Sequence, residues 1–193
     1  EHMLRKVSVP LVTVSHVEGE QFATGFVALK RILYATDLSE SSNRGLRYAI
    51  ELARGTGAQL TMAHVVYYPD RALWAPAGIP GIEDERSAVS EQMRASADSI
   101  RMEEGLRDVQ IETLVVEGKP YEKLHEIADD RAIDIIVLNL QSKSTFDRAF
   151  LGSTAERVVR LAHVPVLSIP LAAAPEKNPS NESAVESGAE RQR

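Results

Sequence analysis

The sequence predicts an α/β fold in which helices pack on both faces of an open parallel β-sheet. Short β-rich runs alternate with amphipathic stretches between residues 30 and 170, which is typical of repeated βαβ units. Hydrophobic residues make up 44% and charged residues 26% of the 193 positions, as expected for a chain that buries a core. There is no cysteine, which excludes a disulfide scaffold, thiol catalysis and cysteine-ligated metal sites.

Five runs have the length and apolar character of buried parallel strands. In chain order they are residues 31–36, 59–66, 110–116, 133–138 and 164–169. We refer to them as the first to fifth predicted strands.

Four amphipathic helices are predicted beside these strands, because apolar side chains recur at helical spacing. Their inner faces are Leu46, Ala49, Ile50 and Ala53, then Val89, Met93, Ser96 and Ile100, then Leu124, Ile127 and Ala128, and finally Val158, Val159 and Ala162. Ser39 is expected to cap the first helix, and Pro120 suits the first turn of the third. Ser153 and Glu156 form a capping box for the fourth.

The remaining segments are expected to lie outside this domain. Residues 171–193 are rich in Ala, Pro, Ser, Asn and Glu and are expected to be a disordered tail. Residues 67–83 predict an irregular surface excursion whose Trp74 belongs either to a tolerated insertion or to a partner contact or lid.

The N-terminal residues 1–29 echo the end of the domain. When the chain is shifted by 155 positions, Val9 and Pro10 fall on Val164 and Pro165. We interpret residues 1–29 as a strand and linker that end a preceding similar domain, with chance similarity as the alternative. The strand from Pro10 is expected to pair antiparallel with the fifth predicted strand, in the same chain or in another copy.

Charge and hydropathy narrow the partners and the compartment. The formal net charge of −6 argues against nucleic acid and anionic membranes as partners. No apolar run approaches the roughly 18 residues of a membrane span, and the first residues do not form a signal-peptide core, so we expect a cytoplasmic protein. There is no Gly-Lys-Ser/Thr sequence of a phosphate-binding P-loop.

Candidate binding residues follow the predicted strands, because an open parallel sheet binds ligands beyond the carboxyl ends of its strands. Asp37 follows the first strand, and its carboxylate can accept hydrogen bonds from a ribose or an adenine amine. Its alternative role is that of a turn residue at the helix entry. The second place is the end of the second strand at residues 64–66, whose backbone can contact a flat base. His64 itself is expected to be a structural residue without a catalytic role. The third place is the segment 139–153 after the fourth strand.

The segment 139–153 also carries a family resemblance. Universal stress protein domains have the pattern Gly, two residues, Gly, nine residues, then Gly followed by Ser or Thr. The four positions are occupied here, at the same spacing, by Asn139, Ser142, Gly152 and Ser153. Residues 31–39 and 116–120 also resemble the corresponding segments of that family. On these grounds residues 30–170 are similar to a universal stress protein domain.

The resemblance implies a Rossmann-like or flavodoxin-like fold with the predicted strands in the order 3-2-1-4-5. It implies a stress-response module that is more regulatory than enzymatic, that binds ATP, and that forms a homodimer or a tandem-domain pseudo-dimer through its last strand. The nucleotide-binding residues that it implies are Ala35, Thr36, Asp37, Val65, Asn139, Ser142, Lys143, Arg148, Gly152, Ser153 and Thr154.

Two glycines of the family pattern are replaced, by Asn139 and Ser142. Glycine lets the backbone approach phosphate oxygens closely, so restoring it at both positions is expected to strengthen ATP binding. Two other functions stay open. A slow ATPase would draw on the charged candidates Lys143, Asp147 and Arg148, and a protein-interaction module would hold no nucleotide.

Overall fold

The β-rich runs form one sheet of six strands in the computed structural model. The structure describes residues 9–14, 28–68, 82–103, 105–106, 108–140 and 153–170. The expected tail at 171–193 and the region of Trp74 lie outside the described residues, so the predictions about them stay predictions.

The elements follow the predicted alternation. The strands are β1 (Leu11–Thr13), β2 (Arg31–Ala35), β3 (Gln59–Val66), β4 (Ile111–Glu117), β5 (Ile135–Leu140) and β6 (Val166–Pro170). The helices are α1 (Ser42–Thr56), α2 (Ile82–Glu103), α3 (Pro120–Asp130) and α4 (Ser153–Leu161). Strands β2 to β6 correspond to the first to fifth predicted strands.

The sheet is doubly wound, and its order is β1-β6-β5-β2-β3-β4. Strands β2 to β6 are parallel and stand in the order 3-2-1-4-5 when counted along the chain. The six-stranded order differs from the five-stranded expectation because β1 adds an antiparallel strand at the β6 edge. Winding reverses at β2, which pairs with β3 on one side and with β5 on the other.

One carboxylate ties the amino ends of β2 and β5 together. Asp134 Oδ2 accepts hydrogen bonds from the backbone N–H groups of Lys30 at 2.7 Å and Arg31 at 2.8 Å. The Arg31 Nε donates to the carbonyl of Ala132 at 3.0 Å, which adds a third link across the same end. These bonds fix the register of a strand pair whose members are distant in the chain.

Apolar side chains fill both faces of the sheet. Helices α1 and α2 cover one face, where Tyr34, Leu46, Ile50 and Met93 are fully buried. Helices α3 and α4 cover the other face, where Leu33, Leu124 and Val158 are buried. Consecutive strand residues point to opposite faces, so strands buried on both sides appear in the sequence as continuous apolar runs.

Strand β1 confirms the predicted antiparallel pairing, within the same chain. Leu11 lies opposite Ser168 of β6 and packs against the α3 and α4 face, whereas Val12 and Val14 are exposed. Strand β6 therefore has a neighbour on each side, and a second subunit that pairs with it directly must first displace β1. The interpretation of residues 1–29 as the end of another domain stays a prediction.

One helix start differs from the sequence prediction. The N-cap of α1 is Ser41, without a side-chain capping bond, and the Ser39 hydroxyl donates to Asp37 at 2.6 Å instead. Helix α4 begins at Ser153, as predicted. The residue before it lies outside the described residues, so the capping box of Ser153 and Glu156 stays a prediction. Pro120 begins α3, as predicted.

Removal of residues 1–14 is expected to increase self-association. Deletion of β1 leaves the hydrogen-bonding groups of the β6 edge unpaired, and open edges recruit other strands. Light scattering across a range of concentrations should give a larger mean mass for the shortened chain than for the full chain. The matched control is Val12→Ser, which changes a side chain that is 53% exposed but keeps the β1 backbone. Equal masses for the shortened and full chains would contradict the role of β1 as an edge cover.

Candidate functional site

A cavity opens at the carboxyl ends of β2, β3 and β5. Its volume is about 210 Å³. It is lined by Ala35, Thr36, Asp37, Ser42, Ala63, His64, Val65, Pro120, Leu124, Leu138, Asn139, Ser153, Thr154, Ala155 and Val158. The lining includes the strand ends at the point where winding reverses, together with the first turns of α1, α3 and α4, which is where open α/β sheets bind ligands.

Asp37 is held beside the cavity by the turn that links β2 to α1. The Ser39 backbone N–H donates to Asp37 Oδ1 at 3.1 Å, the Ser39 hydroxyl donates to the same oxygen at 2.6 Å, and the Ser42 hydroxyl donates to it as well. All three bonds reach Oδ1, which leaves Oδ2 without any of these donors. The Ser39 and Ser42 bonds thus fix the carboxylate through one of its two oxygens.

The same hydrogen bonds set the ionisation of Asp37. Partial burial alone would raise the pKa of this carboxyl group, but the bonds donated by Ser39 and Ser42 outweigh it, so the pKa of Asp37 lies below its ordinary value. Asp37 is therefore a carboxylate at neutral pH and acts as a hydrogen-bond acceptor.

The turn after β2 has an uncommon backbone conformation. Leu38 has a φ of 62°, in the left-handed region, and its N–H donates to the Thr36 hydroxyl at 3.0 Å. A residue with a branched side chain is rarely found in this region, and such conformations persist where the surroundings impose them. The Leu38 side chain packs against the core under α1, which holds the turn that presents Asp37.

Three serines beside Asp37 form a directed set of hydrogen bonds. The Ser39 and Ser42 hydroxyl protons both go to Asp37, so the 2.8 Å contact between Ser39 and Ser41 must be donated by Ser41. Only Asp37 in this set has no proton to give. Ser41 therefore donates to Ser39, and Ser39 and Ser42 donate to the Asp37 carboxylate, whose negative charge these bonds stabilise.

The Asn139 side chain contacts α1. Its Nδ2 donates to the Tyr34 hydroxyl and to the Ser42 carbonyl, at 3.2 Å in each case. The Tyr34 hydroxyl donates to the same Ser42 carbonyl at 2.5 Å. Burial raises the pKa of Tyr34 to about 12, although its hydrogen bonds oppose the shift, so this hydroxyl keeps its proton.

His64 lines the cavity, although the sequence analysis gave its side chain only a structural role. Its Nδ1 lies 2.9 Å from the Thr36 carbonyl oxygen, which can only accept, so Nδ1 carries a proton. In the neutral ring Nε2 then has a free lone pair. The signal was present in the sequence: a polar side chain stands near the carboxyl end of a mainly apolar strand.

The structure brings most of the predicted binding residues together. Those on the cavity wall are Ala35, Thr36, Asp37, Val65, Asn139, Ser153 and Thr154. Ser142, Lys143, Arg148 and Gly152 lie outside the described residues, so the predictions about them stay predictions. Besides His64, the sequence analysis missed Ser42, whose role depends on the path of the turn before α1.

Comparisons with known proteins all point to one family. The model of the universal stress protein family matches residues 28–170. The universal stress protein MJ0531 of Methanocaldococcus jannaschii is 27% identical over 170 residues, which cover 86% of this chain and 96% of that protein. The relative MJ0577 of the same organism is 26% identical over 157 residues, which cover 74% of this chain and 96% of its own.

Solved structures show the same fold. The universal stress protein from Archaeoglobus fulgidus in complex with dAMP is 26% identical, with a TM-score of 0.53, and the match covers 74% of this chain and 99% of that one. The likeness extends over nearly the whole of that protein.

Replacement of Asp37 by Asn is expected to lower the melting temperature in a pH-dependent way. A carboxyl group whose pKa is lowered by folding stabilises the protein above its unfolded pKa, and this contribution is lost as the pH falls through the folded pKa. The difference in melting temperature between the original protein and Asp37→Asn should therefore be largest near neutral pH and shrink below the ordinary value of 3.8. Thermal unfolding followed by circular dichroism measures it.

The control for this comparison is Glu91→Gln, which removes one negative charge from an exposed position beyond the first turn of α2. Subtracting its effect corrects for the change in net charge. A difference between the original protein and Asp37→Asn that stays constant down to acidic pH would show that the Ser39 and Ser42 bonds do not stabilise the ionised carboxylate.

Proposed function

The chain belongs to the universal stress protein family, and from this premise we propose that it is a cytoplasmic stress-response module that binds an adenine nucleotide, ATP, in the cavity beside Asp37. The observation that carries the proposal is that two complementary binding features line one cavity. They are the ionised carboxylate of Asp37 and the first turn of α4.

The carboxylate suits the nucleoside part. Adenine and ribose present N–H and O–H donors, and Asp37 Oδ2 is an acceptor that none of the Ser39 and Ser42 bonds uses. Ala35, Ala63 and Val65 supply apolar wall beside it, which suits the faces of a base. His64 adds its Nε2, the ring nitrogen that does not contact the Thr36 carbonyl, near the end of β3.

The start of α4 suits the phosphates. Ser153, Thr154 and Ala155 form its first turn and line the cavity. The first N–H groups of a helix have no partner within the helix, and the helix dipole favours an anion there. The hydroxyls of Ser153 and Thr154 add donors. A nucleotide placed with its base near Asp37 and its phosphates near α4 thus meets acceptors at one end and donors at the other.

The Archaeoglobus relative supports the nucleotide class, since its structure holds dAMP. The described residues enclose about 210 Å³, which is below the roughly 300–1,000 Å³ of complete small-molecule sites. They therefore suit part of a nucleotide. That the ligand is ATP and not a monophosphate is the more specific part of the proposal. Among the described residues no helix is long and apolar enough to cross a membrane.

Assembly is a further element of the proposal. We propose a homodimer or a tandem-domain pseudo-dimer through the β6 edge: β1 covers this edge within the chain, and a second subunit that pairs with β6 takes the place of β1. Edge strands offer unpaired N–H and C=O groups, and homodimers form through such self-complementary surfaces.

Titration calorimetry with ATP and with dAMP tests the nucleotide site. Asp37→Ala should weaken binding by about tenfold or more, because a hydrogen bond to a charged group contributes about 1.5–3 kcal/mol. Asp84→Ala, on the exposed side of α2, is the matched control and should bind as the original protein does. Mass spectrometry of small molecules released from the denatured protein identifies any nucleotide that is already bound.

Two results would replace the proposal. Magnesium-dependent phosphate release from ATP that Asp37→Ala abolishes would establish a nucleotide hydrolase. Absence of nucleotide from the purified protein, together with no heat of binding for either ligand, would favour the protein-interaction module.

A further inference from the structure

Position 139 corresponds to the first glycine of the family pattern, but here it lies inside β5 and not in a loop. Strand side chains alternate, and Leu138 and Leu140 pack on the face covered by α3 and α4. The side chain of Asn139 therefore points to the opposite face, toward α1. It projects away from α4, the helix whose first turn suits the phosphates of a nucleotide.

Asn139 and Gly45 fit each other closely. A Cβ built on Gly45 would lie 2.4 Å from Asn139 Oδ1 and 2.8 Å from its Cγ, distances at which something must shift. Gly45 is buried in α1 and has ordinary helical geometry, so its lack of a side chain is required by Asn139 and not by the backbone. The amide occupies the space that a side chain at position 45 would fill.

The amide of Asn139 connects to Asp37 through Ser42. Asn139 Nδ2 and the Tyr34 hydroxyl both donate to the Ser42 carbonyl, which fixes the main chain at the start of α1. The hydroxyl of the same Ser42 donates to Asp37 Oδ1. A residue whose main chain is held from one side thus holds the binding carboxylate on the other side.

The arrangement has a cost that stability alone would not favour. Asn139 Oδ1 is buried without a hydrogen-bond partner. Because Nδ2 must face the Ser42 carbonyl, Oδ1 is left toward Gly45, and an unpaired buried acceptor is unfavourable. An apolar side chain at position 139 would avoid this penalty but could not donate to Ser42.

We propose that Asn139 is a positioning residue of the nucleotide site, which holds the first turn of α1 so that Ser42 fixes the Asp37 carboxylate beside the cavity. The link to a ligand rests on the proposed function. The link to Asp37 holds in the ligand-free protein. Glycine at position 139 is accordingly expected to weaken nucleotide binding, which is opposite to the expectation drawn from the family pattern.

Carbon-13 NMR of the Asp37 carboxyl group tests the proposal without a ligand. Asn139→Gly frees Ser42, so the hydrogen bond to Asp37 weakens and the pKa of Asp37 rises toward its ordinary value. The control is Ile100→Ala, which creates a cavity in the core beneath α2 and removes no hydrogen bond of this network. It should lower the melting temperature and leave the Asp37 titration unchanged. An unchanged titration in Asn139→Gly would overturn the proposal.

A double-mutant cycle gives an independent readout. Gly45→Ala should lower the melting temperature of the original protein, because the new Cβ meets Asn139, and raise it in the Asn139→Gly background, where alanine only improves helix propensity. Gly55→Ala is the matched control in the same helix, because nothing lies within 4 Å of its Cβ. It should raise the melting temperature in both backgrounds. A change in melting temperature of the same sign for Gly45→Ala in both backgrounds would contradict the close fit between Gly45 and Asn139.

Titration of the same variants with dAMP separates this proposal from the proposed function. A shifted Asp37 titration with at least a threefold loss of dAMP affinity in Asn139→Gly supports both. A shifted titration in a protein that binds no dAMP supports the positioning of Asp37 and contradicts the nucleotide site. An unshifted titration with full dAMP affinity in Asn139→Gly contradicts the positioning role and leaves the nucleotide site standing.

Discussion

The parallel pairing of β2 with β5 is the constraint on which the rest of the site depends. These strands are distant in the chain, and the Asp134 carboxylate joins their amino ends through the backbone N–H groups of Lys30 and Arg31. Their carboxyl ends are therefore neighbours, but the helices beside them pack on opposite faces of the sheet. No helix of the described residues closes the space between them, which leaves the cavity that Asp37 and the first turn of α4 both line.

The polar contacts near this cavity lie where the apolar layer under α1 meets the carboxyl ends of the strands. Tyr34 has a fully buried ring, but its hydroxyl reaches the Ser42 carbonyl and accepts from Asn139. Each of these hydrogen bonds requires a buried polar group where an apolar one could stand, and a buried polar group needs a partner. Asn139 Oδ1 has no partner. These hydrogen bonds hold the first turn of α1 in a single defined position. Such a trade is expected where precise placement matters more than stability.

The sequence was sufficient to predict the strands, the helices and the edge pairing of β1, because these depend on apolar periodicity and on local similarity. Asp37 was also predictable, since a polar residue directly after a buried strand faces the binding end of the sheet. The α1 cap was assigned to Ser39, but the N-cap position is Ser41, and the Ser39 hydroxyl donates to Asp37. A sequence shows which hydroxyls are near a helix start but not at which of them the helix begins.

Position 139 shows a limit of a different kind. A motif compares residues by spacing along the chain, and by that measure Asn139 replaces a glycine that lets a backbone approach phosphate. Whether a side chain obstructs that approach depends on the face of the strand to which it points, and this one points toward α1. Its fit then depends on Gly45, which lies in another element and has no side chain. The two positions are meaningful only as a pair, so a substitution at either one must be judged by what stands at the other.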